Sequence, residues 1–267
     1  MMQLCASTIC LRDYNLNEAL ACIAESGYDA VELVAVAPDK HLDLMRWDAA
    51  ALRKKLGDYK LELAALYPKP INIWGADAGA TNMPYIRQAI ELAAGLDCKR
   101  IVFSPLLPRE DYDYKKLADM CEALADEMAG TEMRLCLENH YNWPLSVQDD
   151  YVELFRHIRN DRVGICIDTG HFTSAGVDML ALVDAFADRV FHVHLKDHVG
   201  TESKPLGQGE TPNQKVLERL RGHGFDGYAS VEIEVKDWEK SKQYVADARC
   251  YCEDVLGIIN GQKGETP

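Results

Sequence analysis

The sequence contains no run of about 18 to 20 apolar residues, the length that a membrane-spanning helix needs. Basic residues are also scarce, because 29 lysines and arginines stand against 43 aspartates and glutamates and leave a net charge of −14. An acidic surface repels the phosphates of nucleic acids and of anionic lipids. We therefore expect neither nucleic acid nor a membrane as a partner, although a few local cations could still hold a small anionic substrate.

The nine cysteines show no spacing that would predict disulfides. Cys136 and Cys166 lie inside apolar runs, where cysteine behaves as a small hydrophobic residue, and only Cys250 and Cys252 are close in sequence. The first residues lack the basic segment and apolar stretch of a signal peptide. We predict reduced thiols and a cytoplasmic location.

No glycine-rich GxGxxG or GxxxxGK[ST] motif follows an early strand, which disfavours an open, doubly wound nucleotide-binding sheet. Short apolar or β-branched runs instead predict eight strands, at residues 3–10, 30–35, 61–66, 100–104, 134–137, 163–168, 190–195 and 228–235. Segments with helical spacing separate these runs. Strict strand–helix alternation repeated eight times predicts an α/β fold of the (β/α)8 TIM barrel type. Because no proline- or serine-rich linker divides the chain, we predict one domain over residues 1–267, with a frayed tail at 260–267.

Charged residues interrupt the apolar runs near the carboxyl ends of the last four predicted strands. They are Glu138, Asp168, His194 and Glu232. In a barrel these ends open on the face that carries active sites, and side-chain alternation lets all four residues point inward. Any one of them alone could simply cap a helix or pair with a lysine. Together they form a ligand set that a divalent cation accepts, with Glu234, which shares the parity of Glu232, as an alternative ligand.

Several motifs follow one another in the order of a known family: GYDAVEL (27–33), ENH (138–140), DTGHF (168–172), HVHLKD (192–197), GQG (207–209) and SVE (230–232). Together they resemble the xylose-isomerase-like barrel family of sugar and sugar-phosphate isomerases and epimerases, which includes tagatose 3-epimerases and inosose dehydratase. The resemblance implies that Glu138, Asp168, His194 and Glu232 ligate one divalent metal ion (Mn²⁺, Mg²⁺, Co²⁺ or Zn²⁺). It also implies that Glu138 and Glu232 act as the acid–base pair.

The substrate-binding candidates come partly from the same resemblance. It implies that His171 hydrogen-bonds a substrate oxygen and that Lys196 contacts a carbonyl, hydroxyl or phosphate group. From its place in the second strand, Glu32 is expected to point inward and to bond either a ligand or a neighbouring side chain. Sequence position adds the residues of the strand ends and loops as further candidates: Asn139, His140, Tyr67 and Trp74. His192 is predicted to be a hydrogen-bonded core histidine, and the GQG glycines leave a phosphorylated substrate open.

The function expected is a metal-dependent isomerase or epimerase that abstracts a proton next to a carbonyl and passes through an enediolate stabilised by the cation. If the enolate expels a β-hydroxyl group instead, the same site is a dehydratase of a keto-polyol of the inosose or 3-dehydroshikimate type. An apurinic-endonuclease-like hydrolase is disfavoured, because strands two to four end without histidine. A catalytically silent metal-binding barrel is the remaining alternative. The expected partner is a small sugar, sugar phosphate or keto-polyol, and analogy with other barrels suggests a homo-oligomer.

Overall fold

The structure is a computed structural model that describes residues 2–35, 47–68, 71–72, 78–106 and 112–254, with only the backbone at 71–72, 78–82 and 106. Trp74 and the predicted tail at 260–267 lie outside the described residues. The strands are β1 (Gln3–Ser7), β2 (Ala30–Val34), β3 (Glu62–Tyr67), β4 (Ile71–Asn72), β5 (Arg100–Phe103), β6 (Pro105–Leu106), β7 (Arg134–Glu138), β8 (Val163–Asp168), β9 (Val190–Leu195), β10 (Asp197–Val199), β11 (Glu202–Lys204) and β12 (Tyr228–Val231). The helices are α1 (Leu16–Glu25), α2 (Ala49–Tyr59), α3 (Ala78–Gly95), α4 (Tyr114–Glu127), α5 (Gln148–Phe155), α6 (Thr169–Ser174), α7 (Met179–Phe186), α8 (Asn213–Gly222) and α9 (Ser241–Asp254).

Eight of these strands form a closed barrel in the order β1–β12–β9–β8–β7–β5–β3–β2. Every neighbouring pair is parallel, and each strand lies beside the one that precedes it in the chain. The predicted (β/α)8 barrel is therefore confirmed. The short strands β4 and β6 pair with each other, and β10 and β11 form an antiparallel hairpin directly after β9.

The first and last barrel strands are shorter than the apolar runs predict. The predicted strand 3–10 ends at Ser7, because the Ser7 side chain accepts a hydrogen bond from the Ile9 amide and begins a 3₁₀ helix over Thr8–Leu11. The predicted strand 228–235 ends at Val231, and the Ile233 amide donates to the Cys10 sulfur 3.0 Å away rather than to a neighbouring strand. At both places the apolar run in the sequence is therefore longer than the stretch that forms hydrogen bonds with a neighbouring strand.

Small side chains fill the lower part of the barrel interior, whereas larger aliphatic side chains fill the layer between the strands and the helices. The buried interior residues are Cys5, Ala30, Ala64, Ala65, Val34, Tyr67, Val102, Cys136 and Cys166. Because most of these are alanine or cysteine, charged side chains have room further toward the carboxyl ends of the strands. All nine cysteines are unpaired, as predicted, and only Cys250 is exposed.

The outer helices begin and end with local signals that agree with the barrel. Asn15 and Glu18 form a reciprocal capping box at the start of α1, and Gly27 adopts a φ of 86° just after its end. In the described part of the chain, no helix combines the length and the apolar character that a membrane crossing requires.

Candidate active site

Four ionisable side chains meet at the carboxyl end of the barrel. Glu138 ends β7, Asp168 ends β8, His194 lies near the end of β9, and Glu232 directly follows β12. Strand register places Asp168 and Ser230 beside His194, so the strand ends stand at nearly the same height. One potential ligand atom from each of the four side chains lies within 4.8 Å of the others, and all four are buried. We call them the carboxylate–histidine cluster.

His194 lies at the centre of this cluster. Its Nδ1 atom is 2.5 Å from Oε1 of Glu138 and 2.7 Å from Oε2 of Glu232. Burial opposes the charged imidazole, but the surrounding ionisable groups outweigh burial and raise the pKa of His194 well above its usual range. The same attraction lowers the pKa of Glu138 despite its burial, whereas burial raises the pKa of Glu232.

The donor set of the cluster fits a divalent cation. Three carboxylates and one imidazole are buried together, and like charges at this separation repel unless a positive charge lies among them. Oδ2 of Asp168 and Oε2 of Glu232 are buried, and their nearest charged neighbours are Nζ of Lys196 at 3.0 Å and Nδ1 of His194 at 2.7 Å. Within the described residues, three buried carboxylates share only the charges of His194 and Lys196, and a metal ion would compensate for the remaining negative charge.

Lys196 supplies the other positive charge beside the cluster. Its Nζ atom lies 3.0 Å from Oδ2 of Asp168, 3.1 Å from Oε1 of Glu232 and 2.7 Å from Oε2 of Glu234. Burial disfavours the ammonium, but these carboxylates more than offset burial and raise the pKa of Lys196 well above its usual range. Glu232, and not Glu234, stands with the other three members of the cluster, whereas Glu234 contacts Lys196 and Arg12 at its edge.

Glu32 lies one layer deeper in the barrel, on the far side of the His194 ring. Its Oε2 atom is 3.0 Å from Nε2 of His194 and 2.7 Å from Nε2 of His192, and all three side chains are fully buried. Glu32 is expected to bond either a ligand or a neighbouring side chain, and in the structure it contacts neighbouring side chains. His192 is the hydrogen-bonded core histidine that the sequence predicts.

Tyr67 reaches the cluster through its hydroxyl group. The hydroxyl donates to Oε2 of Glu138 at 2.5 Å and lies 2.5 Å from Oγ of Ser104, which itself donates to the same carboxylate oxygen. Burial raises the pKa of Tyr67 well above its usual range, so the phenol stays a donor. Sequence reasoning missed Ser104, although it directly follows the apolar run of β5 in the same way that Glu138 ends β7.

Asn139 is buried beneath the site and joins two strand ends. Its side chain donates to the Asp168 carbonyl oxygen at 2.9 Å and accepts from the Asp168 amide at 2.7 Å. The first residues of α6 add a second restraint, because Oδ1 of Asp168 accepts from the His171 amide at 2.8 Å. These contacts orient Asp168 and leave no polar group of the Asn139 amide facing outward.

His140 and His171 lie at the wall of a cavity of about 900 Å³ that opens outside the cluster. The two rings are 3.8 Å apart between centroids, and His140 also stacks on Trp143 at 3.8 Å. Nε2 of His171 is 3.3 Å from Nζ of Lys196. Burial and the charge of Lys196 lower the pKa of His171 well below its usual range, so this imidazole is neutral.

Glu234 also lines this cavity, together with Arg12 and Trp238, two residues that sequence reasoning did not place at the site. Arg12 forms an ion pair with Glu234, and its guanidinium lies 4.3 Å from the ring centroid of Trp238. Arg12 follows the 3₁₀ helix after β1, and Trp238 follows the segment after β12. No motif in the sequence near Arg12 or Trp238 predicts this contact. The two residues meet because β1 pairs with β12 when the barrel closes.

The GQG segment after β9 does not leave its amides free for a ligand. Oδ2 of Asp197 accepts from the amides of Gly207 at 2.8 Å and Gly209 at 3.0 Å, and Oδ1 accepts from the Thr211 amide at 3.1 Å. A Cβ atom on Gly209 would lie 2.2 Å from Oδ1 of Asp197, so glycine is required for this close approach. The turn is therefore built around an internal carboxylate.

Comparison with known sequences supports one family. The sequence profile of the xylose isomerase-like TIM barrel family matches residues 20–253. The rhizopine catabolism protein MocC of Rhizobium meliloti is 25% identical over 259 residues, which cover 83% of this chain and 75% of that protein. The inosose dehydratase of Serratia proteamaculans (strain 568) is 27% identical over 172 residues, which cover 55% of this chain and 57% of the dehydratase.

Solved structures share the fold over nearly the whole chain. The IOLI protein, solved with a bound zinc atom, superposes with a TM-score of 0.81 at 20% identity and covers 96% of this chain and 98% of that one. The D-allulose 3-epimerase from Methylomonas sp., solved in complex with D-allulose, gives a TM-score of 0.79 at 17% identity, with 94% and 96% covered. At these identities the superpositions establish the fold.

Proposed function

The chain belongs to the xylose isomerase-like TIM barrel family, and we propose that it is a divalent-metal-dependent isomerase or epimerase of a small sugar. The observation that carries this proposal is the carboxylate–histidine cluster, in which one potential ligand atom of each of four buried side chains lies within 4.8 Å of the others. Glu138, Asp168, His194 and Glu232 would hold the metal ion. Bound there, the cation supplies positive charge to the oxyanion that develops when a proton leaves the carbon next to a carbonyl.

Glu138 and Glu232 are the proposed acid–base pair. Both carboxylates lie next to Nδ1 of His194. Glu138 ends β7 and Glu232 follows β12, and β8 and β9 lie between these two strands, so the carboxylates approach from different directions. In the protein without a metal ion, the pKa of Glu138 is, despite burial, lowered by the charge of His194 and the pKa of Glu232 is raised by burial, so the two carboxyl groups differ in proton affinity. One group can abstract a proton from carbon and the other can return a proton, either to the opposite face or to the neighbouring carbon.

Lys196 and His171 are the proposed contacts to substrate oxygens. Lys196 is a charged donor beside Asp168 and Glu232, and the neutral ring of His171 lies at the inner wall of the cavity. His140 supports His171 by stacking. Tyr67 and Ser104 hold the Glu138 carboxylate, and Glu32 holds His194, so these three act through other residues.

The substrate class that the cavity favours is an unphosphorylated sugar or keto-polyol. Asp197 already occupies the GQG amides, which the sequence left open as backbone donors to a phosphate group. Arg12, which lines the cavity, and Lys196, which contacts the cavity residue His171, each form an ion pair with Glu234. A hydroxylated neutral molecule can bond to such pairs without breaking them, whereas a phosphate dianion would face Glu234.

A dehydratase of a keto-polyol is the second candidate, and the inosose dehydratases among the sequence relatives favour it. The first step is the same loss of a proton next to a carbonyl. The enolate then expels hydroxide from the β-carbon, and a protonated acid such as Glu232 supplies the proton that makes the leaving group water. A cytoplasmic location, a single domain and a homo-oligomeric state stay predictions from the sequence.

The decisive experiment is a panel of free ketoses, their phosphate esters, inososes and 3-dehydroshikimate, incubated with the Mn²⁺-loaded protein in D₂O and followed by NMR. An epimerase or isomerase incorporates deuterium next to the carbonyl and yields a stereoisomer or an aldose. A dehydratase instead yields a product that has lost water. If no compound exchanges a carbon-bound proton while the metal is bound, the protein is a silent metal-binding barrel. Turnover of the phosphate esters alone would contradict the proposed substrate class.

A further inference from the structure

Three arginines form a row at the amino-terminal end of the barrel, opposite the candidate active site. Arg100 begins β5 and pairs in register with Arg134, which begins β7. Arg162 directly precedes β8, and its carbonyl oxygen accepts from the Leu135 amide at 2.8 Å, so it is the next residue along the same level. Side-chain parity directs all three toward the barrel axis, as it does Cys136 two residues further along β7.

No carboxylate of the described residues forms an ion pair with this arginine row, and the hydrogen bonds that its guanidiniums form with these residues go to backbone carbonyls. Nε of Arg100 donates to Phe191 at 2.9 Å, Nη1 of Arg134 donates to Asp161 at 2.6 Å, and Nη1 of Arg162 donates to Thr131 at 2.5 Å. Two of the guanidiniums also lie over aromatic rings. These are Arg134 over Phe191 at 4.8 Å and Arg100 over Tyr228 at 5.4 Å. A guanidinium has more N–H groups than these contacts use, so donors remain for another partner.

The arginine row lines a cavity of about 620 Å³. Lys99 adds a fourth cation, and the carboxylates of the lining are Glu132, which pairs with Lys99 at 2.5 Å, and Asp226. The lining therefore has more positive than negative side chains, although the whole chain has a net charge of −14. Such a local reversal of sign attracts small anions and repels cations.

Like charges at neighbouring positions of adjacent strands destabilise a sheet unless another group compensates for them. Planar guanidiniums side by side match the oxygens of a phosphate group, which accepts paired, charge-assisted hydrogen bonds. We propose that the arginine row is a binding site for the phosphate group of a small molecule. The site lies at the end of the barrel remote from the carboxylate–histidine cluster, so its ligand is not the substrate of the reaction proposed above.

Inorganic phosphate is the probe. Calorimetric titration and thermal unfolding of the whole chain are compared at constant ionic strength with chloride as the control anion. We expect saturable phosphate binding and a melting temperature that rises with phosphate concentration. Arg134→Gln should weaken phosphate binding about tenfold, because it removes one charged hydrogen-bonding partner. Arg156→Gln is the matched control, because it removes the same charge at a distant position. Arg156 is an exposed residue at the end of α5 and pairs with Glu153.

Circular dichroism establishes that each variant is folded. If Arg134→Gln is unstable, Arg134→Lys replaces it as the test variant, because lysine keeps the positive charge. Lysine should recover only part of the phosphate affinity, because it lacks the planar pair of donors. The proposal is overturned if chloride stabilises the protein as much as phosphate does, or if Arg134→Gln binds phosphate as tightly as Arg156→Gln. Binding of citrate or acetate in preference to phosphate would overturn the ligand class. None of these outcomes depends on the metal or on turnover, so they leave the proposed function untouched.

Discussion

Oε2 of Glu32 lies 3.0 Å from Nε2 of His194, on the opposite side of the imidazole ring from the Glu138 and Glu232 carboxylates of the carboxylate–histidine cluster. Because Nε2–H donates to this buried carboxylate, Nδ1 is the nitrogen that faces Glu138 and Glu232. The same oxygen of Glu32 lies 2.7 Å from His192, which fixes the carboxylate in turn. If a metal ion replaced the proton on Nδ1, Nε2–H would still donate to Glu32, so Glu32 would hold the ring with Nδ1 toward the metal ion.

Substitution Glu32→Gln tests this role. Glutamine keeps the size of the side chain but loses the charge that favours Nε2–H donation, and loss of such a partner typically weakens metal binding about 10- to 100-fold. The measurement is Mn²⁺ or Zn²⁺ affinity by competition with a chelator. Glu91→Gln, at an exposed position of α3, is the matched control. Equal metal affinity of the two variants would show that Glu32 does not position His194.

The acid–base roles are tested by Glu138→Gln and Glu232→Gln, each assayed at a metal concentration that saturates it. Each variant should lose about 10²- to 10⁴-fold in turnover, because an amide cannot transfer the proton. Deuterium exchange separates the two roles: the variant that keeps the abstracting base should still exchange the substrate proton with D₂O while forming little product. Wild-type turnover in both metal-loaded variants would refute the assignment.

Metal binding should raise the free energy of unfolding of the protein. A cation that binds the folded cluster and not the unfolded chain should, at 100 times its dissociation constant, stabilise the fold by about 2.7 kcal/mol. Thermal unfolding with and without a chelator measures this difference. Asp168→Asn should abolish most of the metal-dependent rise in melting temperature, whereas Asp119→Asn, at an exposed residue of α4 that pairs with Lys115, should keep it. A rise of the same size in Asp168→Asn would exclude Asp168 as a ligand.

The barrel and the four members of the cluster were accessible from the sequence, because both depend on local patterns. Strand–helix alternation predicts the closed sheet, and a charge at the end of an apolar run, such as Glu138 or Asp168, is visible in a single segment. The register of parallel strands then brings these ends together without further information.

Contacts between distant segments could not be predicted in this way. Arg12 meets Glu234 only because β1 closes on β12, and Tyr67 meets Glu138 across β5. The GQG turn shows a different limit, because the sequence displays its glycines but not the buried carboxylate of Asp197 that occupies their amides. Nothing near Asp197 in the chain indicates that its side chain turns back toward this loop.

The internal role of Asp197 leads to the last prediction. Its carboxylate accepts three amide hydrogen bonds, and asparagine has only one acceptor oxygen, so Asp197→Asn leaves at least one amide of the turn without its partner. Loss of a hydrogen bond to a buried charge costs about 1.5 to 3 kcal/mol, and in a chain of this size each kcal/mol lowers the melting temperature by about 2 to 4 °C. We therefore expect a drop of several degrees on thermal unfolding, against almost none for Asp119→Asn, whose ion pair is exposed. If the GQG amides instead served to bind a phosphorylated substrate, Asp197→Asn would leave the melting temperature unchanged and would improve the turnover of phosphate esters, because it removes a competing negative charge.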